Sequence, residues 1–296
     1  MKKPIFTGAG VAVITPMHKD GSVNYEELGK ILDHQILHGT DSIVICGTTG
    51  EASAMPDEEH IEVIRYTCQK VAGRVPVIAG TGSNDTRHCV HLSMEAKNAG
   101  ADALLQVTPY YNKTSQKGLI KHFLTVAEAV ELPMILYNVP SRTGMNISVE
   151  TYRELSKHPL IAGAKEASGN LSHVAHIAQA CGDDLPLYSG NDDQIVPVLS
   201  LGGKGVISVL SNIAPADTHN MCSLYFEGKV KESLQLQLDY LPLIDALFCD
   251  VNPVPVKAAM NLLGWDAGEC RLPLCAMEED KIALLRAAME ERRCRI

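Results

Sequence analysis

Short apolar runs alternate with amphipathic segments through the first three quarters of the chain. The runs fall at 11–15, 42–46, 75–80, 103–107, 134–137, 161–165, 185–189 and 205–209, and most lead into Gly, Thr, Ser or Asn. Between them, segments such as 25–38, 57–72, 86–99, 116–130, 171–181 and 215–226 carry the apolar spacing of helices packed on one face. Short polar residues precede two of these, Pro56-Asp57-Glu58-Glu59 and Asn84-Asp85-Thr86, as helix starts require. Eight strands, each apolar on both faces and separated by helices, predict a parallel sheet covered on both sides. Their number and uniformity favour α/β architecture closed into a (β/α)8 TIM barrel over residues 1–226. Strand signals then stop. Segments 230–249, 254–263 and 278–292 read as helices punctuated by Pro253, Pro255 and Pro273, so residues 227–296 form a C-terminal helical extension. It either covers the barrel or meets a neighbouring subunit; the spacing does not choose.

In such a barrel the chemistry sits at the C-terminal ends of the strands. The polar residues ending the apolar runs are therefore the candidates: Thr15, Thr48 and Thr49, Thr81 and Ser83, Thr108, Tyr110 and Tyr111, Tyr137 and Asn138, Lys165 and Glu166, Ser189 and Asn191, and Ser208. Hydroxyls dominate, with one amine among them. Lys204 adjoins the eighth run at its entry, the wrong end, whereas Lys165 closes the apolar run Leu160-Ile161-Ala162-Gly163-Ala164. A poorly solvated lysine there has a lowered pKa, and a neutral amine attacks a ketone to form an imine. The same position also suits a lysine that snorkels to solvent. Tyr137 ends the preceding run, so its phenol is expected to face the amine across the barrel mouth, where it can give and take protons. A rim tyrosine packed with its hydroxyl bonded is the alternative. The turn Gly47-Thr48-Thr49-Gly50-Glu51 offers close backbone approach, hydroxyls and N–H groups to a carboxylate, but is too short for a phosphate loop.

Composition narrows the class. The net charge is −9 and the pI about 5.6, with no basic run interleaved with aromatics, which argues against a nucleic-acid partner. Lys2-Lys3 and the apolar residues after them resemble a signal peptide faintly, but Pro4, Gly8, Gly10 and Pro16 interrupt any apolar helix. No run reaches the length of a membrane span, so no membrane partner is expected. Nine cysteines stand at scattered positions without C-x-x-C pairs, a pattern of free thiols that fits a cytoplasmic protein. The pairs His34/His38, His88/His91 and His173/His176 lie on predicted helices away from strand ends, so no metal is expected.

The ordered segments Gly47-Thr48-Thr49-Gly50-Glu51, Gly80-Thr81-Gly82, Pro109-Tyr110-Tyr111-Asn112, Tyr137-Asn138-Val139-Pro140-Ser141-Arg142-Thr143-Gly144, Lys165-Glu166-Ala167-Ser168-Gly169-Asn170 and Asn252-Pro253-Val254-Pro255-Val256-Lys257 resemble the dihydrodipicolinate synthase family along essentially the whole chain. The resemblance implies a Schiff-base lyase of the class I aldolase type that condenses pyruvate with L-aspartate 4-semialdehyde and needs no external cofactor. It implies that Lys165 bonds to pyruvate, that Thr49 and the turn hold the pyruvate carboxylate, and that Gly190 and the backbone of Ile207 line the site. Tyr137, Thr48 and Tyr111 match the family's proton relay, with Tyr111 reaching in from a second subunit. The assembly implied is a dimer or a homotetramer built as a dimer of dimers.

Arg142 separates this reading from the similar sialic acid lyases and deoxy-sugar acid aldolases, because a guanidinium grips a carboxylate where a sugar aldehyde offers hydroxyls. A third reading is a pyruvate-binding regulator on an inactivated barrel, which the complete Lys, Tyr and Thr set disfavours. Ala52, Ser53, His60, Asn84 and Tyr110 match the family's lysine effector site. Asp57 and His88 depart from it: Asp57 stands where sensitive members have His, and His88 where they have an acidic residue. Weak or absent lysine inhibition is the expectation.

Overall fold

A computed structural model describes residues 2–292 and residue 294. Its strands are β1 (Gly8–Ala12), β2 (Ser42–Ile45), β3 (Val77–Gly80), β4 (Ala103–Val107), β5 (Met134–Asn138), β6 (Ile161–Glu166), β7 (Leu187–Ser189) and β8 (Gly205–Ser208). They close in sequence order into a parallel barrel, β8 pairing back onto β1. The surrounding helices are α1 (Tyr25–Leu37), α2 (Asp57–Val71), α3 (Thr86–Asn98), α4 (Gln116–Val130), α5 (Pro140–Thr143), α6 (Val149–Leu155), α7 (Leu171–Cys181), α8 (Ile195–Ser200) and α9 (Pro215–Phe226), followed by α10 (Val230–Leu247), α11 (Val254–Leu262) and α12 (Glu279–Glu291).

Alternation along each strand divides the apolar side chains into two cores. Ala12, Val44, Ile78, Leu105, Ile135 and Ile207 fill the barrel interior together with Phe6, Tyr137 and Tyr188. Residues such as Val11, Ile43, Ile45, Leu104, Leu136 and Ala164 point outward against the helices. Phe6, just before β1, stacks on Tyr188 at 4.4 Å, and the Tyr188 hydroxyl donates to the Phe6 carbonyl at 2.7 Å.

Several boundaries differ from the sequence expectation for identifiable reasons. The first strand spans 8–12 and not 11–15. Gly8 and Gly205 meet at the closing seam, where a Cβ on Gly205 would lie 1.8 Å from the Gly8 carbonyl oxygen, so glycines here permit pairing instead of breaking it. Thr15 falls beyond the strand, and its hydroxyl donates to the Gly50 carbonyl at 2.8 Å. The third and seventh strands begin two residues late because Pro76 and Pro186 have no N–H to give the ladder. Asp85 caps α3 through the N–H groups of Arg87 and His88, whereas Asp57 lies inside the first turn of α2 behind Pro56. Helices α5, α6 and α8 are too short to establish a period in the sequence.

The C-terminal helices pack against α9 and against one another. The segment joining α10 to α11 also reaches the C-terminal mouth of the barrel, where Asn252 and Lys257 are buried.

Candidate active site

Tyr137 and Lys165 are register partners on β5 and β6. They lie side by side and not across the mouth: Lys165 Nζ sits 4.4 Å from the centre of the Tyr137 ring. The lysine is 6% exposed, so it does not snorkel. Burial lowers its pKa to about 8; the Asp192 carboxylate opposes that shift and the Arg142 charge adds to it. About a tenth of the amine is then neutral at pH 7, against about one in three thousand for an ordinary lysine. Burial moves the Tyr137 phenol the other way, upward, opposed by Arg142 and by a hydrogen bond with Thr48. The phenol therefore keeps its proton at neutral pH and stands as a donor beside the amine.

Gly190 follows β7 and leaves space for the lysine. A Cβ there would fall 2.6 Å from Ala167 Cβ and 3.1 Å from Lys165 Cε. Ile207 is buried on β8 among the inner core residues that include Tyr137.

The turn after β2 is bracketed by two non-glycine residues in the left-handed region, Cys46 at φ 55° and Glu51 at φ 58°. Such conformations persist only where neighbours hold them. The Gly50 N–H donates to the Gly47 carbonyl and the Glu51 N–H to that of Thr48, both at 3.1 Å. Glu51 accepts from Lys257 Nζ and from the Arg271 N–H, both at 2.8 Å. The turn thus presents Thr48 to one cavity and the buried Thr49 to another.

These two cavities, of about 370 and 360 Å³, share a wall of Tyr137, Val139 and Arg142. Lys165, Gly190, Asp192 and Asn252 line the second. Arg142, on α5, donates from Nη2 to the Asn252 carbonyl at 3.2 Å and offers its remaining donors to both spaces. The candidate effector residues Ala52, Ser53, Asp57, His60, His88 and Tyr110 line the first cavity. Asn84 stands behind them, donating from Nδ2 to the Tyr110 carbonyl at 3.2 Å. The two departures from the family pattern are bonded to each other: His88 Nε2 donates to the Asp57 carboxylate at 2.9 Å. His60 Nε2 donates to the Gly80 carbonyl at 2.8 Å, and burial lowers its pKa.

Tyr111 is not brought to the site by its own chain. It is 92% exposed with φ 66°, projecting an aromatic ring outward from a left-handed backbone. Three further residues stand here to which the sequence assigned no role, although Asn252 and Lys257 bound one of its family-like segments. Asp192 is buried beside the lysine; its Oδ2 accepts the N–H groups of Val209 and Leu210 at 3.0 and 2.9 Å, while Oδ1 has no hydrogen-bond partner among the described residues. Burial raises its pKa, opposed first by a hydrogen bond from Ser208. Asn252 and Lys257 come from the helical extension. The available signal for Lys257 was a lone charge within Val254-Pro255-Val256-Lys257-Ala258-Ala259-Met260, an apolar stretch.

Among the described residues no three His, Cys, Asp or Glu side chains are grouped to hold a metal ion. The paired histidines lie on helices, His34 and His38 with rings 4.1 Å apart on and at the end of α1.

The model of the Dihydrodipicolinate synthetase family matches residues 5–292. A 4-hydroxy-tetrahydrodipicolinate synthase from Caldicellulosiruptor saccharolyticus is 57% identical over 286 residues, 97% of either chain. Two solved structures superpose with TM-scores of 0.95. One is the chloride-inhibited dihydrodipicolinate synthase of Acinetobacter baumannii complexed with pyruvate, 42% identical over 97% of this chain and 99% of that one. The other is the enzyme of Cyanidioschyzon merolae with lysine bound, 40% identical over 98% and 99%. With a family match over nearly its whole length, relatives this similar and a buried strand-end lysine beside a tyrosine, the chain belongs to the dihydrodipicolinate synthase family.

Proposed function

We propose that this chain is a 4-hydroxy-tetrahydrodipicolinate synthase that joins pyruvate to L-aspartate 4-semialdehyde through a Schiff base on Lys165. The observation that carries this assignment is the dry amine of Lys165, drawn down to about 8 beside a protonated phenol. Neutral Nζ attacks the keto carbon of pyruvate, and water leaves as the imine forms. The protonated imine draws electrons from the neighbouring methyl group, which loses a proton to give an enamine. That carbon attacks the aldehyde of the second substrate. The second substrate's own amine then displaces Lys165 by transimination, closing the ring and freeing the enzyme.

Tyr137 gives and takes the protons of these steps, and Thr48, bonded to its phenol, connects it to the first cavity. Thr49 and the turn's N–H groups hold the pyruvate carboxylate. Arg142 grips the carboxylate of the aldehyde substrate, and the closeness of that guanidinium to Lys165 favours this acceptor over a sugar aldehyde. Tyr111 completes the relay from a second chain, so the working unit is at least a dimer, assembled further as a homotetramer. No helix among the described residues is long and apolar enough to cross a membrane. The free cysteines support a cytoplasmic location for the enzyme.

Borohydride reduction in the presence of pyruvate, followed by intact mass, tests the covalent step. One reduced pyruvate adduct per chain is expected, and none on Lys165→Ala. An unmodified wild-type chain would overturn the assignment. Pyruvate release from sialic or deoxy-sugar acids, measured alongside condensation, separates the lyase reading.

A further inference from the structure

We infer that Asn252, from the C-terminal extension, is a positioning residue that sets the direction of the Thr49 hydroxyl and so completes the pyruvate carboxylate clamp. This rests on the assignment of Thr49 to that carboxylate. Asn252 Nδ2 donates to Thr49 Oγ at 3.0 Å. Among the described residues this is the one hydrogen bond of that buried hydroxyl. A hydroxyl has a single proton, and one that accepts from an amide keeps its own proton to donate. Thr49 and Asn252 both line the cavity that holds Lys165. The freed O–H thus serves an anion there, and a hydrogen bond to a carboxylate is stronger than one between neutral groups.

The amide is itself held in place. The Asn252 backbone carbonyl accepts from Arg142. Lys257, one turn into α11, is buried against Glu51 at the end of the same turn that carries Thr49, with both side chains 2% exposed. Its ammonium also donates to the Glu269 carbonyl at 2.8 Å. The extension therefore grips the turn at both Thr49 and Glu51. Side-chain removal at 252 leaves the backbone contact with Arg142 intact, which separates an effect on pyruvate from one on the second substrate.

The test is steady-state kinetics on the full chain with each substrate varied in turn. For Asn252→Ala the pyruvate KM should rise about tenfold, the loss expected for a hydrogen bond to a charged group, with the aldehyde KM changed by less than about twofold. Because Asn252 acts through Thr49, the double variant Thr49→Val/Asn252→Ala should have the pyruvate KM of Thr49→Val alone. Asn252→Asp keeps the shape but can only accept, so it captures the Thr49 proton and should raise the pyruvate KM beyond that of the alanine variant. It also serves if Asn252→Ala fails to fold. An unchanged pyruvate KM in either single variant, additive effects in the double variant, or an equal rise in both KM values would overturn the inference. Wild-type chain that forms no borohydride-trapped adduct would instead overturn the assignment beneath it.

Discussion

At the scale of the single residue, the proposed chemistry rests on the lysine's environment, which does the work that a stronger nucleophile would do elsewhere. Its pKa is lowered mainly because the charged form is poorly solvated, and the folded barrel supplies that by burying Nζ over an aromatic ring. The neutral fraction grows as pH rises, so the rate of imine formation with pyruvate should climb from pH 6 and flatten above about 8. Rapid-quench borohydride trapping across pH reads this directly; a rate still climbing at pH 10 would mean an ordinary amine. Gly190→Ala places a methyl group against Lys165 Cε and Ala167 Cβ. It should lower kcat by about a hundredfold, the cost of a misplaced reactive group, while circular dichroism shows the fold retained. The strand-end positions of Lys165 and Tyr137 were legible in the sequence because a polar side chain ending an apolar run stands out. Asp192 was not, because it lies three residues beyond β7, where polar loop residues are ordinary.

At the scale of the element, the turn after β2 shows what a five-residue motif leaves unsaid. Its glycines and threonines announce close approach to an anion, but its shape depends on Glu51 held left-handed by a buried lysine far along the chain. Removing one member of a buried pair strands the other charge. Lys257→Met should therefore cost about 3–5 kcal/mol in urea unfolding, and Glu51→Gln/Lys257→Met should recover most of that loss. Equal stabilities for the two variants would show that the pair is not what supports the turn. The strands and long helices were readable from periodicity because each repeats its pattern over enough residues. The start of β1 was not, since glycine serves as a breaker in most contexts and here allows the barrel to close.

At the scale of the whole molecule, the barrel and the helical extension were both legible, but not the contact between them, which joins positions separated by about two hundred residues. One chain also leaves Tyr111 facing outward. If the ring serves a neighbour's site, co-expressing Tyr111→Phe with Lys165→Ala chains should restore activity that neither has alone. About a quarter of the wild-type rate is expected, since half of randomly formed dimers are hybrids with one complete site of two. No recovery would confine the reaction to single chains. In the first cavity the Asp57 carboxylate is already engaged by His88, so it is not free to receive an effector's ammonium. Lysine should inhibit weakly or not at all, and a sub-millimolar inhibition constant would contradict this. The hydrogen bond between Thr49 and Asn252 spans 203 positions. On the ribosome, therefore, the threonine emerges long before the amide bonded to it, and under the proposed assignment a nascent chain with every strand of its barrel already made still lacks a finished grip on its first substrate.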